Sequence, residues 1–170
     1  MKRAVMFTMP AAALFVAASV VSVFAQTPDF SGTWTLDTDR SEITAGRGGR
    51  RGGRGGGTPN ALVITQTATE LTIEQSAGNQ SRTLTYTLEG ESSIPAGRGG
   101  SMTITSHWDG ATLVSEGSQE LSFGGGGRIT IEVREVRSLS EDGQTLTVDV
   151  SRTIPRRGAN TNTLVYTKAM

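Results

Sequence analysis

The sequence predicts an all-β fold: an antiparallel up-and-down meander of about 8–10 strands that forms a closed or partly open barrel. Three observations predict it. From Phe30 onward apolar residues recur at every second position, and helical spacing hardly appears. The alternating segments are short, follow one another directly and are separated by turn-forming residues. One face of each segment is aliphatic or aromatic, while the other is mostly Thr, Ser, Glu and Asp, which describes a closed barrel or a two-sheet sandwich.

Nine segments read as strands: FSGTWTL, ALVITQT, LTIEQSA, RTLTYTLE, MTITSHW, ATLVSEGSQELSF, RITIEVREV, QTLTVDVSRTI and NTLVYTKA. Asp109-Gly110 and Asp142-Gly143 predict type I′ hairpin turns, in which both central residues take positive φ. The core face carries Phe30, Gly32, Trp34 and Leu36, then Leu62, Ile64, Leu71, Ile73, Leu84, Tyr86 and Leu88. It continues through Met102, Ile104 and Trp108 to Leu146, Val148, Val150 and Ile154. An odd count is awkward for a closed antiparallel meander, so either Gly117 splits the segment from Ala111 to Phe123 or the barrel is partly open.

The remaining connections are glycine-rich and carry or abut arginine. They are residues 45–58 (Arg47, Arg50, Arg51, Arg54), 96–100 (Arg98), 124–127 (next to Arg128) and 155–160 (Arg156, Arg157). Nine-strand parity sends the last three to one end of the barrel and the 45–58 loop to the other.

Residues 1–25 read as a secretory signal peptide: basic Lys2 and Arg3, an apolar run from Ala11 to Phe24, and small-residue cleavage after Ala25. The expected product, residues 26–170, is one exported domain in the periplasm or outside the cell. It has no cysteine, so packing rather than disulfides must hold it, and a lipid-modified lipoprotein is excluded. Removing Lys2 and Arg3 takes the basic count from 16 to 14 against 16 acidic residues, moving the formal charge from zero to −2. Any binding of polyanions must therefore be local. A membrane barrel needs an apolar outer face and aromatic girdles; residues 26–170 contain only six aromatics and a threonine-rich face. No later segment is long and apolar enough for a spanning helix.

Gly32-x-Trp34 in FSGTWTLD resembles the G-x-W signature of the calycins, the lipocalins and fatty-acid-binding proteins, in which the Trp closes one end of the barrel. IEVREV, DGQTLTV and LVYTKA resemble the last three strands of a fatty-acid-binding protein. FSGTWTLDTDRS, HWDGATLV and LSEDGQTLTVDVSR are similar to a group of exported, uncharacterised bacterial β-proteins with an FSGTW start. The resemblance implies a lipocalin-like barrel and a small lipophilic partner. Two departures qualify it. The helical lid that follows the first strand in fatty-acid-binding proteins is replaced by the Gly/Arg segment, which cannot hold a stable helix. The family's Arg-x-Tyr clamp is also incomplete, because Tyr166 matches but Leu164 stands at the Arg position.

Polar residues in phase with the core face are the candidate ligand site: Arg152, Tyr166, Tyr86, Gln66, Gln75, Ser106 and Glu135. A buried arginine needs a partner. With the 142–143 turn, Val133 faces Arg152 and Glu135 lies diagonally within reach. Arg152 is therefore expected to offer donors to a ligand, to pair with Glu135, or to cover the Trp34 indole. A ligand pocket would need roughly 300 Å³ or more. No nucleophile elbow or metal-ligating cluster appears, and His107, the one histidine, is out of phase with Trp108. Asp37, Asp39 and Glu42 read as a turn. No enzyme activity, cofactor or metal is expected.

The arginine-rich loop resembles a nucleic-acid-binding box, but export removes that partner and no stacking aromatic is interleaved. Its arginines, Arg47, Arg50, Arg51 and Arg54, are candidates for contact with an anionic envelope surface instead. Two functions follow as expectations: an exported barrel binding a small apolar or amphipathic ligand, or a non-catalytic envelope protein whose Gly/Arg-rich loops touch anionic surfaces.

Overall fold

A computed structural model describes residues 27–44, 58–96, 100–122, 127–156 and 158–169. They form ten antiparallel strands and no helix: β1 Gly32–Leu36, β2 Ala61–Gln66, β3 Glu70–Ala77, β4 Gln80–Thr87, β5 Gly90–Ala96, β6 Gly100–Asp109, β7 Thr112–Ser122, β8 Arg128–Leu139, β9 Thr145–Ile154 and β10 Gly158–Lys168. Sequential neighbours pair, except β4 with β5, and β1 pairs with β10, so the order is β4-β3-β2-β1-β10-β9-β8-β7-β6-β5. The barrel is nearly closed. At its seam the Thr87 amide donates to Ser92 Oγ at 2.5 Å, joining the two edge strands through a side chain.

The strand that periodicity missed is β5, GESSIPA. Ile94 is its one buried residue, and it contains Pro95. A proline is tolerated there because β5 is an edge strand with one neighbour to bond. Gly117 does not split β7. A Cβ at Gly117 would lie 2.2 Å from the Thr103 carbonyl oxygen and 2.9 Å from Ile104 Cα, so glycine is what lets β6 and β7 approach there.

The two Asp-Gly turns are where the sequence puts them, but neither is the expected type I′. Gly110 (φ 60°) and Gly143 (φ 66°) take the left-handed conformation and the aspartates do not. Asp142 instead uses its carboxylate, accepting from Ser140 Oγ at 2.6 Å and the Gln144 amide at 3.0 Å.

Ten strands rather than nine reverse the parity of the loops. The connections β1–β2, β3–β4, β5–β6, β7–β8 and β9–β10 all fall at one end, here termed the mouth. The chain reaches Thr44 beside β10, where its amide donates to Asn162 Oδ1 at 2.7 Å. Every arginine-bearing connection thus belongs to the mouth, correcting the split between two ends.

The opposite end, the floor, is solid. Phe30, Trp34, Leu71, Leu88, Leu113 and Leu146 are buried there, and Phe30 stacks on Trp108 at 5.8 Å between ring centroids. Of the predicted core face, Leu36, Trp108 and Ile154 are half-buried and the other side chains are buried. Val63, on the opposite face, is 45% exposed, as period two requires.

Candidate functional site

Halfway up the barrel, alternation turns five polar side chains inward: Tyr86, Ser106, Ser115, Glu135 and Arg137. The register places Ser106 opposite Ser115, and Ser115 opposite Glu135, forming a polar row across β6, β7 and β8. Glu135 Oε2 accepts from Arg137 Nη2 at 2.5 Å and from Tyr86 Oη at 3.0 Å. The Arg137 guanidinium lies 4.6 Å from the centre of the Tyr86 ring, and the two serine hydroxyls are 2.8 Å apart. Burial alone would push the Glu135 carboxyl up. The Arg137 charge and the hydrogen bonds from Arg137 and Tyr86 outweigh it, so Glu135 is held below its ordinary value. Burial pushes the Tyr86 hydroxyl up, with the Glu135 charge adding to the shift.

The partner of Glu135 is therefore Arg137 rather than Arg152. The sequence signal existed, since Arg137 lies two residues beyond Glu135 and shares its face, but the apolar pattern ends that strand at Val136 whereas β8 runs on to Leu139. The predicted register is correct, with Val133 opposite Arg152. Arg152 itself is exposed rather than buried. It does not cover Trp34 either: Lys168 does, with Nζ 5.3 Å from the ring centre. Gly32 makes room for it, since a Cβ there would sit 2.7 Å from Lys168 Cε. The G-x-W pair is thus a floor element, completed by the bond from Trp34 Nε1 to the Phe30 carbonyl at 2.9 Å.

The other candidates divide between structure and lumen. Gln66 ties down the segment before β1, accepting from the Phe30 amide at 3.0 Å and donating to the Pro28 carbonyl at 2.9 Å. Tyr166 donates to the Pro59 carbonyl at 3.2 Å, and burial raises its hydroxyl to about 12. Gln75 accepts from Arg82 Nε at 2.8 Å. His107 is exposed on the outer face. Asp37 makes a turn, its Oδ1 accepting from the amides of Asp39 and Arg40 at 3.1 Å each. Arg47, Arg50, Arg51 and Arg54 lie outside the described residues, as does the predicted signal peptide.

Above the polar row the interior opens into two cavities of about 80 Å³ each. Both are lined by Arg82, Glu135 and Arg152. The first adds Gln75, Arg137, Tyr166 and the aliphatic wall Leu62, Ile73, Val148, Val150 and Leu164. The second adds Leu84, Ile94, Met102, Val133 and Gln119. Gln66, Tyr86 and Ser106 line neither. Each is well below the roughly 300 Å³ set for a drug-sized ligand. A wider depression of about 490 Å³ lies at the rim and shares Pro59, Gln75 and Arg82 with the first cavity. Sequence reasoning missed Arg82, although its place two residues before Leu84 puts it in phase with the core face.

No family model matches this chain, and no curated protein does. Among solved structures it is similar to zebrafish ileal bile acid-binding protein complexed with cholic acid, with a TM-score of 0.55 and 16% identity over 82% of this chain and 98% of that one. At that identity the likeness speaks for the fold. Ten strands in a nearly closed antiparallel meander, with a G-x-W floor, give this chain the calycin-like barrel fold of the fatty-acid-binding proteins.

Proposed function

We propose that this is an exported, non-catalytic binding protein that holds a small amphipathic ligand in the mouth half of its barrel. The division of the interior carries the proposal: the floor is packed solid, while both cavities above set guanidinium groups against aliphatic walls. Convergent polar groups on an apolar surface orient a ligand that has both characters. The cavities favour a ligand much smaller than a bile acid. Export rests on the signal-like residues 1–25. Native mass spectrometry of protein purified from the cells that make it is expected to show a one-to-one adduct with a small molecule. A bare chain that, once emptied and refolded, takes up no six-carbon alcohol or acid saturably would overturn the proposal.

A second reading is an envelope protein whose Gly/Arg-rich loops contact anionic surfaces. It is favoured by parity, since every arginine-bearing connection falls at the mouth, with Asp37, Asp39 and Glu42 of the β1–β2 connection as its carboxylates, whereas the floor turns carry Glu89, Glu141 and Asp142 and no arginine. Binding to anionic vesicles should then weaken steeply with salt and with Arg47, Arg50, Arg51 and Arg54 changed to Ser. Binding that ignores both changes would count against it.

A further inference from the structure

We infer that the ligand carries a doubly charged anionic head on a short apolar tail, of the phosphate monoester kind, and that Arg82 and Arg152 grip that head. This rests on the lumen being a ligand site. Charge is the first observation. Arg82, Arg137 and Arg152 line the two cavities, and Glu135 is the one carboxylate on either wall. Arg137 and Glu135 satisfy each other, which leaves an excess of two positive charges on Arg82 and Arg152. Neither forms a salt bridge among the described residues, and Arg82 donates from Nε to the neutral Gln75 alone. The segments outside the description, 1–26, 45–57, 97–99, 123–126, 157 and 170, contain no Asp or Glu side chain. A monoanion would leave one charge unanswered, whereas a phosphate monoester brings nearly two charges and three acceptor oxygens to two forked donors.

Position and size complete the inference. Arg82 and Arg152 belong to both cavities, and Arg82 also belongs to the rim depression, so a head held by them sits where the three spaces meet. At about 30 Å³ per water-sized group, the two cavities of about 80 Å³ each have room for about five carbons between them, so the tail is short.

Hexyl phosphate, heptanoate and hexanol share a six-carbon tail and differ in charge, so calorimetric titration of the emptied protein separates the terms. At pH 8 hexyl phosphate is expected to bind about ten-fold or more tighter than heptanoate, consistent with one extra charge-assisted contact. That advantage should vanish at pH 5, because a phosphate monoester loses its second charge near pH 6. The lumen groups Glu135, Arg137, Tyr86 and Tyr166 keep their protonation states over that range, and His107 is on the outer face. Arg82→Gln and Arg152→Gln should each cost hexyl phosphate about ten-fold and leave hexanol unchanged. Both arginines are exposed, so circular dichroism should report an intact barrel. Hexyl phosphate binding no tighter than heptanoate, or indifferent to both substitutions, overturns the dianion while hexanol binding preserves the lumen as a ligand site. No binding by any of the three overturns both.

Discussion

Replacing Arg137 with Met is expected to destabilise the barrel by about 3–5 kcal/mol, measured by urea unfolding at pH 7. Arg137 is 3% exposed and is the cation that allows Glu135 to stay ionised inside the lumen. Without it, the carboxylate keeps its burial cost and loses its main compensation. The double variant Arg137→Met with Glu135→Gln should recover most of the loss, because a neutral amide can still accept from Tyr86 Oη. The pH dependence supplies a second signature. In the native chain Glu135 titrates below its unfolded value, so its stabilisation is present above about pH 4.3 and is lost as the pH falls through the lower folded value. In Arg137→Met the sign inverts: burial then raises the carboxyl, and stability falls as the pH rises through the ordinary carboxylate range. A loss below about 1 kcal/mol with an unchanged pH slope would show that the pair contributes little, as many exposed pairs do.

Trp34→Ala should cost a similar 3–5 kcal/mol, the range for removing a fully buried aromatic side chain. The indole has no exposed surface, caps the floor beneath Lys168 and satisfies the Phe30 carbonyl. For a domain near 150 residues the midpoint of thermal unfolding should drop by on the order of 10 °C. Trp34→Phe retains much of the buried area but leaves the Phe30 carbonyl without its donor, so its cost should be nearer the 1–3 kcal/mol of an unsatisfied group. Equal losses in the two variants would mean that the hydrogen bond, rather than the ring, closes the floor.

Most of the fold was legible because it rests on local periodicity. An alternating strand with one wet face declares itself through residues such as Leu62, Ile64, Leu71 and Ile73, whichever strand it pairs with. Even the β8–β9 register followed from the position of one Asp-Gly turn, although the φ values within that turn did not. The segment that escaped, GESSIPA, has a single buried side chain and a proline; its strand character comes from pairing with β6 along one edge. That one omission also sent the arginine-rich 45–58 loop to the wrong end, since each missed strand reverses the direction of everything counted through it.

The candidate site was legible only in part, for a different reason. Phase identified Glu135, Tyr86, Ser106 and Arg152 as inward-facing, but phase carries no information about depth or about partners across the barrel. Tyr86 on β4 meets Glu135 on β8 because closure brings distant strands face to face, 49 residues apart in the chain. Depth along β9 leaves Arg152 exposed near the mouth, while Arg137 lies deep enough on β8 to be buried. The sequence by itself determined the strand type and the inward residues, because these depend on neighbours a few positions away, while the G-x-W floor was legible only through a resemblance and is completed by Lys168 from the other end of the chain. Tertiary structure alone decided which guanidinium neutralises Glu135 and which two are left over, because that depends on distances across the lumen, and a charge buried in low dielectric takes the partner that geometry brings within reach.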